Sequence, residues 1–323
     1  MSIRAVVTGT GGYLPNKIVS NKDLSEFVDT TDEWITERTG IRQRHIAADG
    51  EFTSDLAAGA AKKAMAVAGK SPEDIDLIIV ATTTPDLTFP STAAIVQAKL
   101  GVENGAAFDI QAVCSGFVYG ISTVEKFLQS GQHKCALVIG AETFSRILDW
   151  EDRTTCVLFG DGAGAFVVEA VDEDKADGRG VIASHLRCDG RMVDLLHVDG
   201  GVSSTKTTGH VRMQGNKVFR EAVTRISSAM EIVAEEANIN PSDVDWFVPH
   251  QANKRIIMGV VKKLGLREEQ VVSAIADHGN TSAASIPLAY QMAVDDGRIK
   301  LGDLVMLEAM GGGLTWGAAL LRA

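Results

Sequence analysis

Two stretches of this chain, SPEDIDLIIVAT at 71–82 and NPSDVDWFVPHQ at 240–251, are copies of one pattern: a polar cap, a proline, acidic residues and an apolar run. The copying extends further. GDGAGAFVVEA at 160–170 resembles GGGLTWGAALLRA at 311–323, and LQSGQHKCALVIGAE matches VDDGRIKLGDLVMLEAM. A chain that spells out one strand-and-helix order twice builds two like units, which bury their apolar faces best against each other. The repeat predicts an α/β protein of two duplicated βαβ-containing halves, residues 1–173 and 174–323, packed about a pseudo-twofold axis. A length of 323 residues supplies about two domains' worth of core.

In the first half, the pattern predicts a strand at 3–8 ending in a turn at Gly9, Gly11 and Gly12, then short helices at 21–28 and 31–38. GTGGYL lacks the last glycine of GxGxxG and runs into Pro15, so no dinucleotide site is expected there. A helix capped by Ser54 follows to Ala68, then a strand at 75–82, a helix from Pro90-Ser91 to Leu100 and a strand at 135–141. The second half reads as strands at 180–187, 244–249, 271–275, 303–309 and 315–322, with helices from Gly215 to Ala237, at 253–264 and at 282–295.

One strand-to-helix step carries chemistry. Ala106 to Val113 reads as a buried central strand, and Cys114, Ser115 and Gly116 allow a sharp turn. Phe117, Ile121, Val124 and Leu128 then recur at three- and four-residue steps, the mark of a helix with one apolar face. Cys114 is thus expected at a helix N-terminus, where unpaired N–H groups and the helix dipole favour a thiolate. A cysteine also suits a packed junction, so this stretch alone admits a nucleophile or a core residue. Counting back from Gly297 by the step that separates Gly131 from Cys114 reaches Asn280, which the repeat sets at the facing junction. His250 ends the strand DWFVPH, with Asn253 placed to cap the next helix. Sites in parallel sheets form at the carboxyl ends of strands, and these three polar groups outline one.

A net charge of −11 argues against a general nucleic-acid binder. Cys114, Cys135, Cys156 and Cys188 lack metal-ligand spacing and are expected as reduced thiols. No export signal and no apolar run of the ~20 residues that cross a bilayer is seen, so the expected location is the cytoplasm, with no membrane partner. No metal, nicotinamide or flavin site is visible. Lys254, Arg255, Lys262 and Lys263, with Lys217 and Arg220, gather basic charge on an acidic chain, which suggests an acidic partner.

Six motifs, in order over essentially the whole chain, resemble the β-ketoacyl-acyl-carrier-protein synthase III family of thiolase-fold condensing enzymes. They are DTTDEWITERTGIRQRHIA at 29–47, AVCSGF at 112–117, FGDGAGA at 159–165, VPHQAN at 248–253, HGNTSAAS at 278–285 and EAMGGGLTWGAALLR at 308–322. The resemblance implies a thiolase-like fold in five layers, α-β-α-β-α. It implies that a short acyl-CoA, acetyl-CoA foremost, acylates Cys114, and that malonyl-acyl carrier protein loses CO2 and attacks the thioester. The product is a 3-oxoacyl-acyl carrier protein, the first condensation of type II fatty acid biosynthesis. No cofactor is implied, since the CoA thioester is a substrate.

The same resemblance implies roles residue by residue. His250 and Asn280 donate to the malonyl thioester oxygen, and the N–H groups of Cys114 and Gly312 form the oxyanion hole for acylation. Trp34 and Arg153 clamp the CoA adenine. Thr30, Arg38, Gly215, Phe219, Ala252 and Asn253 are further CoA contacts. The carrier protein meets Arg220, Gln251, Lys254, Arg255, Lys262 and Lys263. The acyl pocket holds Phe144, Phe159, Leu195, Val211 and Met310, with Phe89 supplied by the partner of a homodimer. Short-chain members carry Phe in place of Met310 and Leu in place of Val211, so primer length stays open. A Cys, His, Asn set also occurs in papain-like proteases, but their Cys-Gly-Ser-Cys-Trp signature is absent.

Overall fold

The computed structural model describes residues 2–323. Strand β1 (Ile3–Tyr13) leads to the paired strands β2 (Lys17–Ser20) and β3 (Gln43–Ile46), which enclose α1 (Asn21–Leu24) and α2 (Asp32–Thr39). There follow α3 (Thr53–Ala68), β4 (Leu77–Ala81), α4 (Thr92–Leu100), β5 (Ala106–Ile110), α5 (Gly116–Gln129), β6 (Cys135–Glu142) and β7 (Gly162–Asp172). The rest of the chain begins with β8 (Gly180–Cys188), β9 (Leu196–Val198), β10 (Val211–Met213) and α6 (Gly215–Glu236). It ends with β11 (Trp246–Pro249), α7 (Lys254–Leu264), α8 (Ile275–His278), α9 (Ser285–Asp295), β12 (Leu304–Gly311) and β13 (Thr315–Arg322).

The two large sheets share one plan. The first runs β1-β7-β6-β4-β5 and the second β8-β13-β12-β11. In both, two neighbouring strands are parallel, β4 with β6 and β11 with β12, and the remaining pairings towards β1 and β8 are antiparallel. The repeat reaches single hydrogen bonds. Ser71 N–H donates to Asp74 Oδ2 at 2.8 Å, as Asn240 N–H does to Asp243 Oδ2 at 2.8 Å. Cys135 N–H donates to Asp76 at 3.2 Å and Leu304 N–H to Asp245 at 2.7 Å, so the same carboxylate starts the same strand in each half.

Between the sheets lie α5 and α9. Phe117, Ile121, Val124 and Leu128 of α5 are fully buried with Ile286, Ala289 and Ala293 of α9 among side chains from both sheets. Burying each large apolar group there contributes roughly 1.5–3 kcal/mol, so the central helices tie the sheets together. Helices α3 and α4 cover the outer face of the first sheet, and α6 and α7 that of the second. These are the five expected layers, α-β-α-β-α.

Several elements depart from the sequence reading. Strand β1 does not stop at Gly9 but continues to Tyr13, paired with β7 on both sides of a bulge at Thr8. A Cβ on Gly9 or Gly11 would lie 2.3 Å from a carbonyl oxygen of α3, so these glycines admit a helix against the sheet and make no turn. Ser54 is not a cap: α3 starts at Thr53, and the Ser54 hydroxyl donates to Asp86. Strand β5 ends at Ile110 and is the edge of its sheet, not a central strand. The strand expected at 271–275 is reduced to one bridge, Val271 to Phe247. There the Gln251 side chain replaces the missing ladder. Its Nε2 donates to the carbonyls of Pro249 (2.7 Å) and Val272 (3.2 Å), and its Oε1 accepts from Ala274 N–H (2.8 Å). The strands β9 and β10, and the β2–β3 pair, are three or four residues long, too short for a period-2 pattern to mark them in the sequence.

Candidate active site

Before α5 the backbone makes a tight turn, Val113–Ser115, with Val113 at φ 49°. The turn Ser282–Ala284 before α9 repeats it, with Ser282 also at φ 49°. Non-glycine residues held there cost about 1–3 kcal/mol each, and they persist where the surroundings determine them. The interval that relates Ser71 to Asn240 relates Val113 to Ser282 and Cys114 to Ala283. The expected equivalence of Cys114 with Asn280 is therefore off by three positions. Helix α9 has 11 residues against 14 in α5, so counting back from the glycine beyond it runs past the junction. The two turns do face each other: Ser282 Oγ lies 3.5 Å from Cys114 Sγ.

Cys114 is 4% exposed and opens onto a cavity of about 540 Å³. Burial pushes its thiol up to about 12; the Ser282 hydroxyl opposes the rise and the Glu142 charge adds to it. The thiolate expected from the helix end is not the resting form, because a few N–H groups do not replace the water lost on burial.

His250 follows β11 and lines the same cavity. Burial holds its imidazole down to about 3, so the ring is neutral at ordinary pH. Its Nδ1 is 2.7 Å from Ser285 Oγ, and that oxygen accepts from Gln251 N–H at 3.2 Å. The Ser285 hydroxyl has one proton, and giving it to Nδ1 leaves the ring proton on Nε2. His250 is thereby built as a donor. Asn280 is similarly oriented: Ser282 N–H donates to its Oδ1 at 2.9 Å, leaving Nδ2 for the cavity it lines. Glu308 stands in the cavity wall, and burial pushes its carboxyl up to about 8.

Cys114, His250 and Asn280, read from three separate stretches, thus meet in one cavity, which Trp34, Arg38, Gly215, Phe219, Ala252 and Asn253 also line. Arg153 and Thr30 lie outside that lining. The guanidinium carbons of Arg38 and Arg153 stand 4.5 and 5.3 Å from the Trp34 ring centre. A planar ring between Trp34 and Arg153 needs about 7 Å, twice the ~3.5 Å carbon–carbon contact, so Arg153 has to swing outward to admit one. Gly312 follows β12, and Gly311 beside it comes so close that a Cβ there would lie 2.6 Å from Cys114 N. Any side chain would displace the turn that carries the thiol.

Phe159 and Met310 line the cavity, and Phe144, buried outside the lining, stacks on Phe159 at 4.3 Å in the same apolar cluster. Leu195 is a correction: the neighbouring Leu196 lines the cavity, because successive side chains point to opposite faces as β9 begins. Val211 is buried behind the lining, where Met213 takes its place. Phe89 is 83% exposed and lies outside this chain's own cavity. Val218, Ala222 and Ile226 of α6 also form the wall, and their four-residue spacing is the sequence signal for that face. Lys254, Arg255, Lys262, Lys263, Lys217 and Arg220 are all exposed on α6 and α7. Gln251 cannot join that surface: it is 1% exposed and its amide is spent on the backbone.

Among the described residues no cluster of His, Cys, Asp or Glu could hold a metal ion, and no helix is long and apolar enough to cross a membrane. Residues 108–190 match the family model "3-Oxoacyl-[acyl-carrier-protein (ACP)] synthase III", and residues 234–323 match that of its C-terminal part. The chain is 60% identical to the beta-ketoacyl-[acyl-carrier-protein] synthase III of Hyphomonas neptunium, over 100% of both chains. It is 61% identical to that of Caulobacter vibrioides, over 99% of this chain and 100% of the relative. Among solved structures, 3-oxoacyl-[acyl-carrier-protein] synthase III from Aquifex aeolicus superposes with a TM-score of 0.94 at 48% identity, covering 99% and 100% of the two chains. The priming β-ketosynthase of the R1128 polyketide pathway gives 0.93 at 35% identity, covering 99% and 97%.

Proposed function

The chain belongs to the β-ketoacyl-[acyl-carrier-protein] synthase III family, and from that premise we propose which of its groups perform each step. It is a condensing acyltransferase of the thiolase fold that initiates fatty acid biosynthesis. The observation that most supports the assignment of steps is the meeting of Cys114, neutral His250 and oriented Asn280 in one cavity. Identity of 60–61% to the fatty acid enzymes, against 35% to the polyketide one, favours primary metabolism.

In the first step Cys114 Sγ attacks the thioester carbon of a short acyl-CoA, and CoA departs. The N–H groups of Cys114 and Gly312 receive the oxyanion. In the second step malonyl-acyl carrier protein places its thioester oxygen between His250 Nε2–H and Asn280 Nδ2–H. Negative charge grows on that oxygen as CO2 leaves, and each preorganised donor contributes about 3–4 kcal/mol to that transition state. The carbanion then attacks the acyl-Cys114 carbonyl. A neutral imidazole suits this role because Ser285 holds its one N–H on Nε2, facing the substrate, at ordinary pH.

Trp34 and Arg153 are proposed to sandwich the adenine of CoA, with Arg38, Thr30, Gly215, Phe219, Ala252 and Asn253 along its path. Phe144, Phe159, Leu196 and Met310 would bound the primer, and Phe89 would reach a partner subunit's pocket in a homodimer. The two halves divide at 173/174, and a cytoplasmic location suits both substrates. Incubation with a panel of acyl-CoAs is expected to leave an acyl adduct on Cys114, located by intact mass and peptide mapping. Short straight chains should label fastest. Labelling elsewhere, or none with any chain length, would sink the assignment.

Arg220, Arg255, Lys262 and Lys263, with Lys254, are proposed to receive the acidic carrier protein. None of them pairs with a carboxylate among the described residues, so their charge is free for a partner. Arg255→Glu is expected to raise KM for malonyl-acyl carrier protein about tenfold and flatten its salt dependence, with a smaller effect on acyl-CoA. An equal rise in both KM values would count against the surface.

A further inference from the structure

A buried carboxylate stands behind the nucleophile. Glu142, the last residue of β6, is fully buried, and its Oε2 accepts from Thr84 Oγ1 at 2.6 Å and Thr83 N–H at 3.1 Å. The Thr84 oxygen accepts from Thr143 N–H at 2.9 Å, which leaves its proton available to Glu142. The other oxygen, Oε1, is 3.1 Å from Ser282 Oγ, which is itself 3.5 Å from Cys114 Sγ. With Thr82 Oγ1, 3.4 Å from Oε2, four donors converge on Glu142, an arrangement that favours the ionised carboxylate. With the Ser282 proton given to Glu142, the Ser282 oxygen is free to accept from the thiol.

We infer that Glu142, acting through Ser282, takes the Cys114 proton during acyl transfer and returns it after condensation. This rests on the proposed two-step reaction. In the first step the S–H bond breaks as Sγ bonds the acyl carbon: the thiol proton passes to Ser282 Oγ, and the Ser282 proton passes to Glu142. CoA leaves as a thiolate and takes a proton from solvent. In the second step the new C–C bond forms, the C–Sγ bond breaks, and the proton retraces its path to the Cys114 thiolate. Protonated Glu142 carries no charge while the acyl group waits, which keeps a negative charge away from the incoming malonyl carboxylate. Ser282 touches the reacting sulfur; Glu142 acts through it and is a positioning residue. The titratable groups around Cys114 are Glu142 from β6, His250 beyond β11 and Glu308 from β12. Burial places Glu142 at about 7, His250 at about 3 and Glu308 at about 8.

The test needs no acyl-CoA. Iodoacetamide alkylation of Cys114, followed by peptide mapping that separates it from exposed Cys188, reads the thiol's proton transfer against pH. The intact protein is expected to show an inflection near pH 7. Glu142→Gln should remove it and slow alkylation at pH 8 about tenfold or more. Ser282→Ala, which leaves Glu142 in place, should do the same, and the double variant should be no slower than either. A Glu142 that is merely a negative neighbour predicts the opposite sign, since its removal eases thiolate formation; faster alkylation in Glu142→Gln overturns the inference. So does an inflection that survives both substitutions, which belongs to Glu308. Should Glu142→Gln fail to fold, Ser282→Ala decides alone. Loss of the relay with acyl-CoA labelling of Cys114 intact leaves the two-step reaction standing. A relay that passes without any acyl adduct removes that reaction and keeps the proton path.

Discussion

Cys114→Ala is expected to abolish 3-oxoacyl product, a loss of about four orders of magnitude or more, because no other group replaces a covalent nucleophile. Its malonyl-acyl carrier protein should nevertheless keep losing CO2, since His250 and Asn280 are held by Ser285 and Ser282 and not by the sulfur. Measuring product by mass and CO2 by release from labelled malonyl groups separates the two. A variant that loses both in equal measure would mean that decarboxylation requires the acyl-enzyme, and the independent roles given to the three residues would fall.

The reciprocal result is expected from His250→Ala and Asn280→Ala. Each removes one preorganised donor from the thioester oxygen, which should slow decarboxylation by about 10²–10³ while leaving most acyl transfer to Cys114 intact. Acyl adduct formation and CO2 release, followed in parallel, check this, and equal loss of both steps would contradict it. The pH behaviour of His250 follows from its burial. Its folded value of about 3 lies below the unfolded value of about 6.5, so on acidification the unfolded chain binds a proton that the folded site refuses. Its contribution to stability is whole above pH 6.5 and is lost as pH falls towards 3.

The parts of the fold that could be read beforehand are those written in local pattern. Phe117, Ile121, Val124 and Leu128 announce α5 by spacing, and the caps at Ser71 and Asn240 announce two equivalent strands. What could not be read depends on a distant neighbour. Gly9 and Gly11 look like a turn until α3 is seen lying on them. Gln251 sits in a recognisable motif, yet only the missing strand at 271–275 explains why its amide is buried. Glu142 and Ser285 gave no signal, since one ends an apolar strand and the other begins a helix. Their importance comes from atoms 140 and 35 residues away respectively, Ser282 and His250. Leu195 and Leu196 differ by one position, and only the start of β9 decides which faces the cavity.

The interval that relates the halves also shows a division of labour. It pairs His250 with Ala81 and Cys114 with Ala283, so each unit is chemically silent where its twin is reactive. The silence has a steric reason. A Cβ on Gly116 would meet Ala81 Cβ at 3.0 Å and Ala283 Cβ at 3.5 Å, so larger groups at either alanine would push α5 away from its seat. Restoring symmetry by giving each half both reactive groups is thus blocked by the packing that brings the halves together. Two like pieces must stay unlike at their centre for the enzyme to have one site and not two competing ones.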